Sequence, residues 1–539
     1  TIPHDPRYAS YMPYEAIYLR YSVAVAEELY QSAPGYDHPF SYGVRMRLLG
    51  NLIESKPMWG GEALKIKRYI SQGKMKHFFP MHKPDQLVGL KRIWMDWNVL
   101  PWNQPFLAIK NYFGEKIASY FLFQGHYTRW LVLPAVIGLV MQIITFCYPT
   151  LKAGFNAPYL PFYSGFICIW AIFMMQYWKR LEAKTAMEWG CAGYEEGVPD
   201  MCEFKGEKMK SFVTGDEVIF FPTSSRTNYT RQSAVAVIIM IGIVLVAVAS
   251  IYIIRDKLVD QGMTVSNAQT IASIINVVQI SLADFLYGFA STELTKRENH
   301  RTLIQYEDSQ VSKIFAFQFV NSYSSFFYVA FIAGRIDANG CGIHGCMYAL
   351  GINLAIIFGS RLVQGNVTEI LIPYLKATYM PPEPGASRPA DEYRLAPYDT
   401  SDQVLSNFSE TAIQFGYQTL FASALPFAST FAMISNLVEV KGDAWLLLDV
   451  HQRPTAMMVE DIGAFQAIFT IISCISVITN AALIKFTMNT LNVYSQFWQW
   501  VLFVLFQWGV FGIQGIAMYL INDESETISY QKERAAFYE

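Results

Sequence analysis

The sequence predicts a mainly α-helical membrane protein with ten transmembrane helices and an N-terminal cytosolic α+β domain. Its composition is the first reason: 53% of the 539 residues are AVILMFWYC and only 16% are charged, whereas soluble proteins average about 25% charged. So few charges cannot cover several soluble domains. The second reason is a succession of apolar runs of membrane-spanning length after residue 119. The net charge of −3 provides no basic field for binding nucleic acid, so we expect no such partner.

The chain divides into three parts by composition. Residues 1–119 mix proline, tyrosine and charged residues without a spanning stretch, which predicts a folded N-terminal domain of roughly 100 residues. Residues 120–522 form the transmembrane domain, and residues 523–539 form a cytosolic C-terminal tail. The chain opens at Thr1 without methionine or a signal sequence, so its true N-terminus is not fixed by the sequence.

Ten apolar segments in the second part have the length of a membrane span. They are 127–147, 160–178, 234–254, 268–290, 314–334, 347–375, 404–425, 427–448, 462–486 and 496–521. Only Leu425-Pro426 divides the seventh from the eighth. Because ten is an even number, both termini are expected on the same side of the membrane.

Lysine and arginine predict which side that is. The loops after the second, fourth and sixth segments are rich in both residues, and the opposite loops contain few. By the positive-inside rule, the termini and the basic loops are cytosolic. We therefore expect an integral multi-pass protein of the plasma membrane or an endomembrane.

Two cysteines, Cys341 and Cys346, lie close together in a loop on the non-cytosolic side. With His344 between them they could bind a metal ion. A disulfide is the favoured interpretation, because that side of the membrane is oxidising.

Acidic residues occur inside three neighbouring apolar segments, where charge is costly and therefore indicates function. The sixth segment contains Glu369, the seventh begins with Asn407 and Glu410, and the eighth contains Glu439 and Asp443. The i,i+3 and i,i+4 spacings place each pair on one helix face. Four carboxylates and one amide converge if these helices pack together. Oxygen ligands without cysteine or histidine favour Ca²⁺.

The residues alone leave two alternatives to calcium open. One is a structural ion-pair network in which Lys441 neutralises a carboxylate, and the other is a proton relay.

The fourth segment carries a polar stripe made of Ser273, Asn276, Asp284 and Ser291. Such a stripe must face water, protein or a polar ligand, so it either lines a groove or makes interhelical hydrogen bonds. In the sixth segment, Gly359 weakens the helix ten residues before Glu369. It is either a hinge or a site of close packing.

Seven motifs along the chain are specific in combination. They are Asn111-Tyr112-Phe113-Gly114-Glu115-Lys116-Ile117-Ala118, Tyr177-Trp178-Lys179-Arg180, Phe319-Val320-Asn321-Ser322-Tyr323, Phe327-Tyr328-Val329-Ala330-Phe331, Ile413-Gln414-Phe415-Gly416, Arg453-Pro454 and Asp461-Ile462-Gly463. With these motifs in family order, the sequence resembles the anoctamin family of calcium-activated chloride channels and lipid scramblases. The resemblance covers residues 85–539 well and residues 1–84 loosely.

The resemblance implies a homodimer of ten-helix subunits, each with a groove lined by helices three to seven. It places Glu369, Glu410, Glu439 and Asp443 on calcium-ligand positions and Gly359 on the helix-six hinge. Two positions depart from the family pattern: Gly365 stands where many members have asparagine, and Asn407 replaces an acidic residue. Because ligand charge tunes calcium affinity, we expect weak or single-ion calcium dependence.

The favoured function is passive, calcium-regulated phospholipid scrambling with an associated ion conductance through this groove. An anion channel is the alternative, but basic residues near the groove are few: Arg255, Arg335 and Arg361. Of these, Arg335 is the candidate pore residue, and Asp284 on the stripe disfavours chloride. A membrane tether without transport is the third hypothesis. No nucleophile–base constellation suggests an enzyme.

Overall fold

The computed structural model is mainly helical and contains nineteen α-helices in the part of the chain that it describes. That part comprises residues 2–3, 16–17, 30, 32, 39–54, 61–64, 66–148, 150–198, 200–201, 203–210, 215, 217–336, 341–379 and 387–538. Much of the predicted N-terminal domain, part of the loop before Cys341 and residues 380–386 lie outside the described residues.

Short helices and two small sheets make up the polar parts of the described chain. The strands are β1 (Ile2–Pro3), β2 (Ala16–Ile17), β3 (Glu207–Lys210) and β4 (Glu217–Phe220), and the helices before the membrane domain are α1 (Tyr42–Glu54), α2 (Ile66–Ser71), α3 (Pro84–Trp94) and α4 (Phe106–Phe113). Strand β1 pairs antiparallel with β2, and β3 pairs antiparallel with β4, with Glu207 opposite Phe220.

The remaining helices form the body of the protein. They are α5 (Glu115–Cys147), α6 (Leu151–Gly154), α7 (Leu160–Trp189), α8 (Thr223–Asp260), α9 (Val265–Arg297), α10 (Leu303–Phe331), α11 (Ala333–Ile336), α12 (Cys346–Asn366), α13 (Ile372–Tyr379), α14 (Arg388–Arg394), α15 (Thr400–Leu420), α16 (Ala428–Trp445), α17 (Ala464–Phe486), α18 (Gln496–Leu520) and α19 (Glu526–Tyr538). Helix α5 begins at Glu115, five residues before the predicted domain boundary, because its first turns pack their apolar residues inside the protein.

Seven of the described helices are long and apolar enough to cross a membrane: α5, α7, α8, α9, α12 with its continuation to Leu375, α17 and α18. They correspond to predicted segments one to four, six, nine and ten. The fifth, seventh and eighth segments are also helices, α10, α15 and α16, but their composition is more polar. Most of α15 is buried by its neighbours, and a helix enclosed by protein can carry polar residues that lipid would exclude.

An aromatic core joins α5, α7, α15 and α17. Phe123 packs edge-on against Trp178 and tilted against Phe469, with ring centroids 4.9 Å apart in each case. Phe408 of α15 packs 5.4 Å from Phe123. Edge-to-face contacts of this kind are favourable beyond the area that they bury. This core holds α15 in place, so its acidic residue Glu410 is presented from a fixed helix.

Candidate functional site

Four acidic side chains from three helical elements face one another near one end of the helical body; we call them the acidic cluster. Its members are Glu369 after α12, Glu410 on α15, and Glu439 and Asp443 on α16. The charges of the other three members all act on Glu439, and those of Glu410 and Asp443 act on Glu369. The structure therefore brings together the acidic residues that the sequence singled out.

A local irregularity of the backbone positions Glu369. Residues Val367–Leu371 form a π-helical turn between α12 and α13. Such turns insert one residue into a helix and are frequent at functional sites. The same segment contacts α16 closely, since a methyl group added to Gly442 would collide with the side chain of Ile370. This contact places Glu369 opposite the acidic face of α16.

The structure explains why glycine stands at position 365, where many members of the family that the sequence resembles have asparagine. A methyl group on Gly365 would lie 2.8 Å from Oε1 of Glu410. The absence of a side chain on α12 therefore leaves the space into which the Glu410 carboxylate extends. Glu410 fills the volume that an asparagine side chain would need.

Lys441 does not neutralise the acidic cluster. Its Nζ donates hydrogen bonds of 2.8 Å to the backbone carbonyls of Trp94 and Asp96, at the end of α3. The ion-pair network that the sequence allowed therefore lacks its proposed cation. The positive charge that acts on Glu410 is that of Arg361.

Within the described residues, the carboxylates of the acidic cluster do not form a compact ligand set. Among the residues that the structure describes, no three acidic, histidine or cysteine side chains lie close enough to share a metal ion. When they are ionised, the four carboxylates repel one another, which opposes closer approach. The donor set nevertheless fits a hard cation, because it offers carboxylate oxygens and the Asn407 amide.

A residue that the sequence reasoning missed, Tyr120 of α5, also belongs to this site. Its hydroxyl donates a 2.6 Å hydrogen bond to Oδ2 of Asp443 and lies 3.5 Å from Oε1 of Glu439. Asn407 Nδ2 donates to the same Asp443 oxygen at 3.4 Å. Nothing in the spacing of the sequence signals this, since Tyr120 is more than 300 residues from Asp443 and reads as an ordinary aromatic core residue.

The polar stripe of α9 is buried against α10 and α12; we call this contact the polar seam. Ser273 donates a 2.8 Å hydrogen bond to Asn353 of α12, and Ser291 is fully buried. Asn276 is 2% exposed, and neither polar atom of its amide has a partner among the described residues. The opposite side of α9 is strongly exposed, at Val278 for example. The seam thus lies on the side of α9 that faces the rest of the protein.

An ion pair crosses the polar seam. Arg361 of α12 donates to Asp284 of α9 over 2.6 Å, and Asn321 of α10 donates to the other carboxylate oxygen over 2.8 Å. The pair borders a cavity of about 350 Å³ whose walls also include Glu369 and Glu410. One cavity therefore connects the polar seam with the acidic cluster.

The other residues singled out by the sequence lie apart from the cavity. A methyl group added to Gly359 would meet no atom within 4 Å, so close packing does not require glycine there, and α12 runs through this position without a break. Arg335 of α11 lies over the ring of Phe486 of α17, away from the seam. Cys341 and Cys346 are joined by a disulfide.

A polar clamp outside the apolar spans holds α14 beside this region. The backbone N–H of His82 donates to Glu392 of α14 over 2.8 Å, and the imidazole lies 3.0 Å from the Tyr112 hydroxyl and 3.2 Å from the His451 carbonyl. Burial lowers the pKa of His82, so the ring is neutral near pH 7. The clamp fixes the element that precedes α15.

Comparison with known proteins shows the family to which the chain is similar. A family model described as "Anoctamin: Calcium-activated chloride channel" matches residues 109–535. The chain is 28% identical to human Anoctamin-7, over 84% of this chain and 58% of that protein. It is 26% identical to mouse Anoctamin-5, over 92% and 65%, and 25% identical to human Anoctamin-1, over 90% and 62%. The chain spans about three fifths of the length of these curated relatives.

Proposed function

Because the chain belongs to the anoctamin family, we propose that it is a calcium-regulated, passive phospholipid scramblase with an associated ion conductance. The path would be a groove that opens along the polar seam, between α9 and α12. We propose further that the protein works as a homodimer with one groove in each subunit, and that both termini are cytosolic.

The observation that carries this proposal is the polar seam itself. Asn276 is buried at the seam with both amide atoms unpartnered among the described residues, and an unpaired polar group in an apolar environment is costly. Separation of α12 from α9 would hydrate this amide and expose the stripe to lipid headgroups, while the acyl chains stay in the bilayer. At the exposed edge of the seam, Ser281 donates a 2.9 Å hydrogen bond to Gln364, which would have to break for the groove to open.

The acidic cluster is the proposed regulatory site, with Glu369, Glu410, Glu439, Asp443 and the Asn407 amide oxygen as the groups that would hold Ca²⁺. A bound ion would supply the positive charge that these carboxylates lack. Three elements contribute the ligands. Of these, the segment after α12 is the least restrained by packing, because it continues from a helix in which no atom lies within 4 Å of a methyl group added at Gly359. It is therefore the element expected to move.

Movement of α12 would also act on the ion pair at the seam. Arg361 lies two residues beyond Gly359 on α12, whereas its partner Asp284 is on α9. Bending at Gly359 would draw Arg361 away from Asp284 and open the cavity that both residues border. The acidic cluster and the seam would then respond to one motion.

An anion channel is the second candidate function, favoured by the description of the matching family model. The structure offers this function little support at the seam, because Arg361 is already paired with Asp284 and its charge is not directed toward a free anion path. A tether without transport is the remaining alternative.

Purified protein in liposomes distinguishes these functions when fluorescent-lipid scrambling and ion flux are measured with and without Ca²⁺. We expect both activities to rise with Ca²⁺. Ion flux without scrambling would select the channel, and neither activity would select the tether.

The same assay tests the acidic cluster. Glu410→Gln combined with Glu439→Gln should raise the Ca²⁺ concentration for half-activation about 100-fold or more, because ligand charge sets affinity. Glu188→Gln combined with Glu293→Gln is the matched control, since it removes two exposed carboxylates. Unchanged calcium dependence in the first double variant would eliminate the site.

A further inference from the structure

The hydroxyl of Tyr120 reaches the acidic cluster from a helix that contributes no carboxylate. Tyr120 is 2% exposed and lies on α5, which packs along α16. Its 2.6 Å hydrogen bond to Asp443 is short for a neutral donor and typical of a bond to a carboxylate. The ring is held edge-on against Phe408, with centroids 5.6 Å apart. A buried ring with a fixed position directs its hydroxyl to one place.

The two hydrogen bonds to Asp443 leave one of its oxygens available. Tyr120 and Asn407 both donate to Oδ2, and within the described residues Oδ1 receives no hydrogen bond. Hydrogen bonds to the outer oxygen of a carboxylate fix its rotation and aim the other oxygen. The hydrogen bond from Asn407 Nδ2 likewise fixes the orientation of the Asn407 amide. The amide oxygen takes no part in this bond and can serve as a ligand.

The hydrogen bond between Tyr120 and Asp443 is not explained simply by the need of a buried tyrosine hydroxyl for a partner. Tyr127 lies seven residues further along α5, is fully buried, and has a hydroxyl with no partner among the described residues. The protein therefore tolerates a buried, unpartnered hydroxyl on this helix. The placement of Tyr120 against Asp443 is specific to the site.

We infer that Tyr120 is a positioning residue of the acidic cluster, which orients Asp443 so that Oδ1 faces a divalent cation. The inference rests on the proposed function, because it assigns a role in binding Ca²⁺ at that cluster. It adds a fourth helix, α5, to the three that carry the ligands. Since α5 is part of the aromatic core, it ties the orientation of Asp443 to that core.

Tyr120→Phe tests the inference, since it deletes one oxygen and keeps the ring contacts. Calcium affinity is measured on the purified full chain in detergent, from the rise of the unfolding temperature with Ca²⁺. We expect the dissociation constant to increase 10- to 100-fold, as is usual when a residue that orients a ligand is removed. Tyr127→Phe is the matched control and should bind Ca²⁺ as the wild type does.

Terbium luminescence provides a second readout. Aromatic side chains near the ion sensitise Tb³⁺ emission, so the Tb³⁺ concentration for half-maximal emission should rise 10- to 100-fold in Tyr120→Phe and stay at the wild-type value in Tyr127→Phe. Affinity and emission that both match the wild type in Tyr120→Phe would overturn the inference and leave the proposed function intact. A wild-type protein that binds neither Ca²⁺ nor Tb³⁺ would overturn both.

Discussion

Buried carboxylates occur in two regions of this molecule, and their surroundings differ: in one region a carboxylate is paired with a lysine, and in the other the carboxylates face one another. At the junction of α9 and α10, Glu298 is fully buried, and its Oε2 accepts hydrogen bonds from Lys313 and His300 over 2.8 Å and from Ser309 over 2.7 Å. In the acidic cluster, four carboxylates face one another, and the lysine beside them in the sequence points elsewhere. A paired carboxylate holds two helices together, whereas unpaired carboxylates store repulsion that a cation could relieve.

The protonation of Glu298 shows how strong the pairing is. Burial alone would raise the pKa of this carboxyl, but hydrogen bonds from His300, Lys313 and Ser309 more than offset it and lower the pKa to about 2. A lowered pKa in the folded state means that the contribution to stability is complete above the unfolded pKa of about 4.5 and is lost as the pH falls toward 2. At physiological pH the junction is therefore fully stabilised.

The largest effect is expected from removal of the cation at the junction. Lys313→Met would leave Glu298 as a buried charge without its lysine partner, which should lower the free energy of unfolding by about 3–5 kcal/mol. Thermal and chemical unfolding in detergent measure the change. Lys184→Met is the control, because Lys184 forms an exposed pair with Glu188 that contributes about 0.2–1 kcal/mol. Equal effects of the two substitutions would remove the distinction between the regions.

In the acidic cluster, removal of a charged group is expected to raise the free energy of unfolding. At a pH where the cluster is ionised, Glu439→Gln removes one of four mutually repelling charges, so in metal-free buffer it should raise the free energy of unfolding by about 1–2 kcal/mol. Glu298→Gln, the same chemical change at the junction, should lower it. With Ca²⁺ at about 100 times its dissociation constant, the wild type should gain about 2.7 kcal/mol and Glu439→Gln much less. A metal-free loss of stability in Glu439→Gln would show that its charge is compensated after all.

These two regions also show what the sequence could predict. Glu369, Glu410, Glu439 and Asp443 were identifiable because acidic residues are rare in apolar segments, and the spacing within each helix fixed their faces. Glu298 gave no such signal, since it lies among charged residues just beyond α9 and its burial depends on the packing of α10. Contacts between distant helices were equally hidden, among them the bond between Tyr120 and Asp443.

The polar seam was predictable only in part. The stripe on α9 was visible at helical spacing, but whether it faced water or protein depended on α12, whose Arg361 pairs with Asp284. The prediction of ten spans rested on apolar length. Length and composition support a membrane span for seven helices and leave it open for α10, α15 and α16. A helix enclosed by protein can carry polar residues, whereas a helix that faces lipid must be apolar, so composition alone does not identify an enclosed span.

The smallest effect is expected from a substitution at Gly359. It tests whether the segment that carries Glu369 moves on activation while the junction at Glu298 stays fixed. Gly359→Ala adds a methyl group that meets no atom within 4 Å and favours the straight helix by about 0.5–1 kcal/mol. If α12 must bend at this residue, half-activation in liposomes should need about two- to fivefold more Ca²⁺. Gly512→Ala in α18 is the control, since it also meets no atom within 4 Å and should stabilise its helix without a shift in activation. A shift of the same size in both variants would mean that helix stability in general, and not bending at Gly359, limits activation.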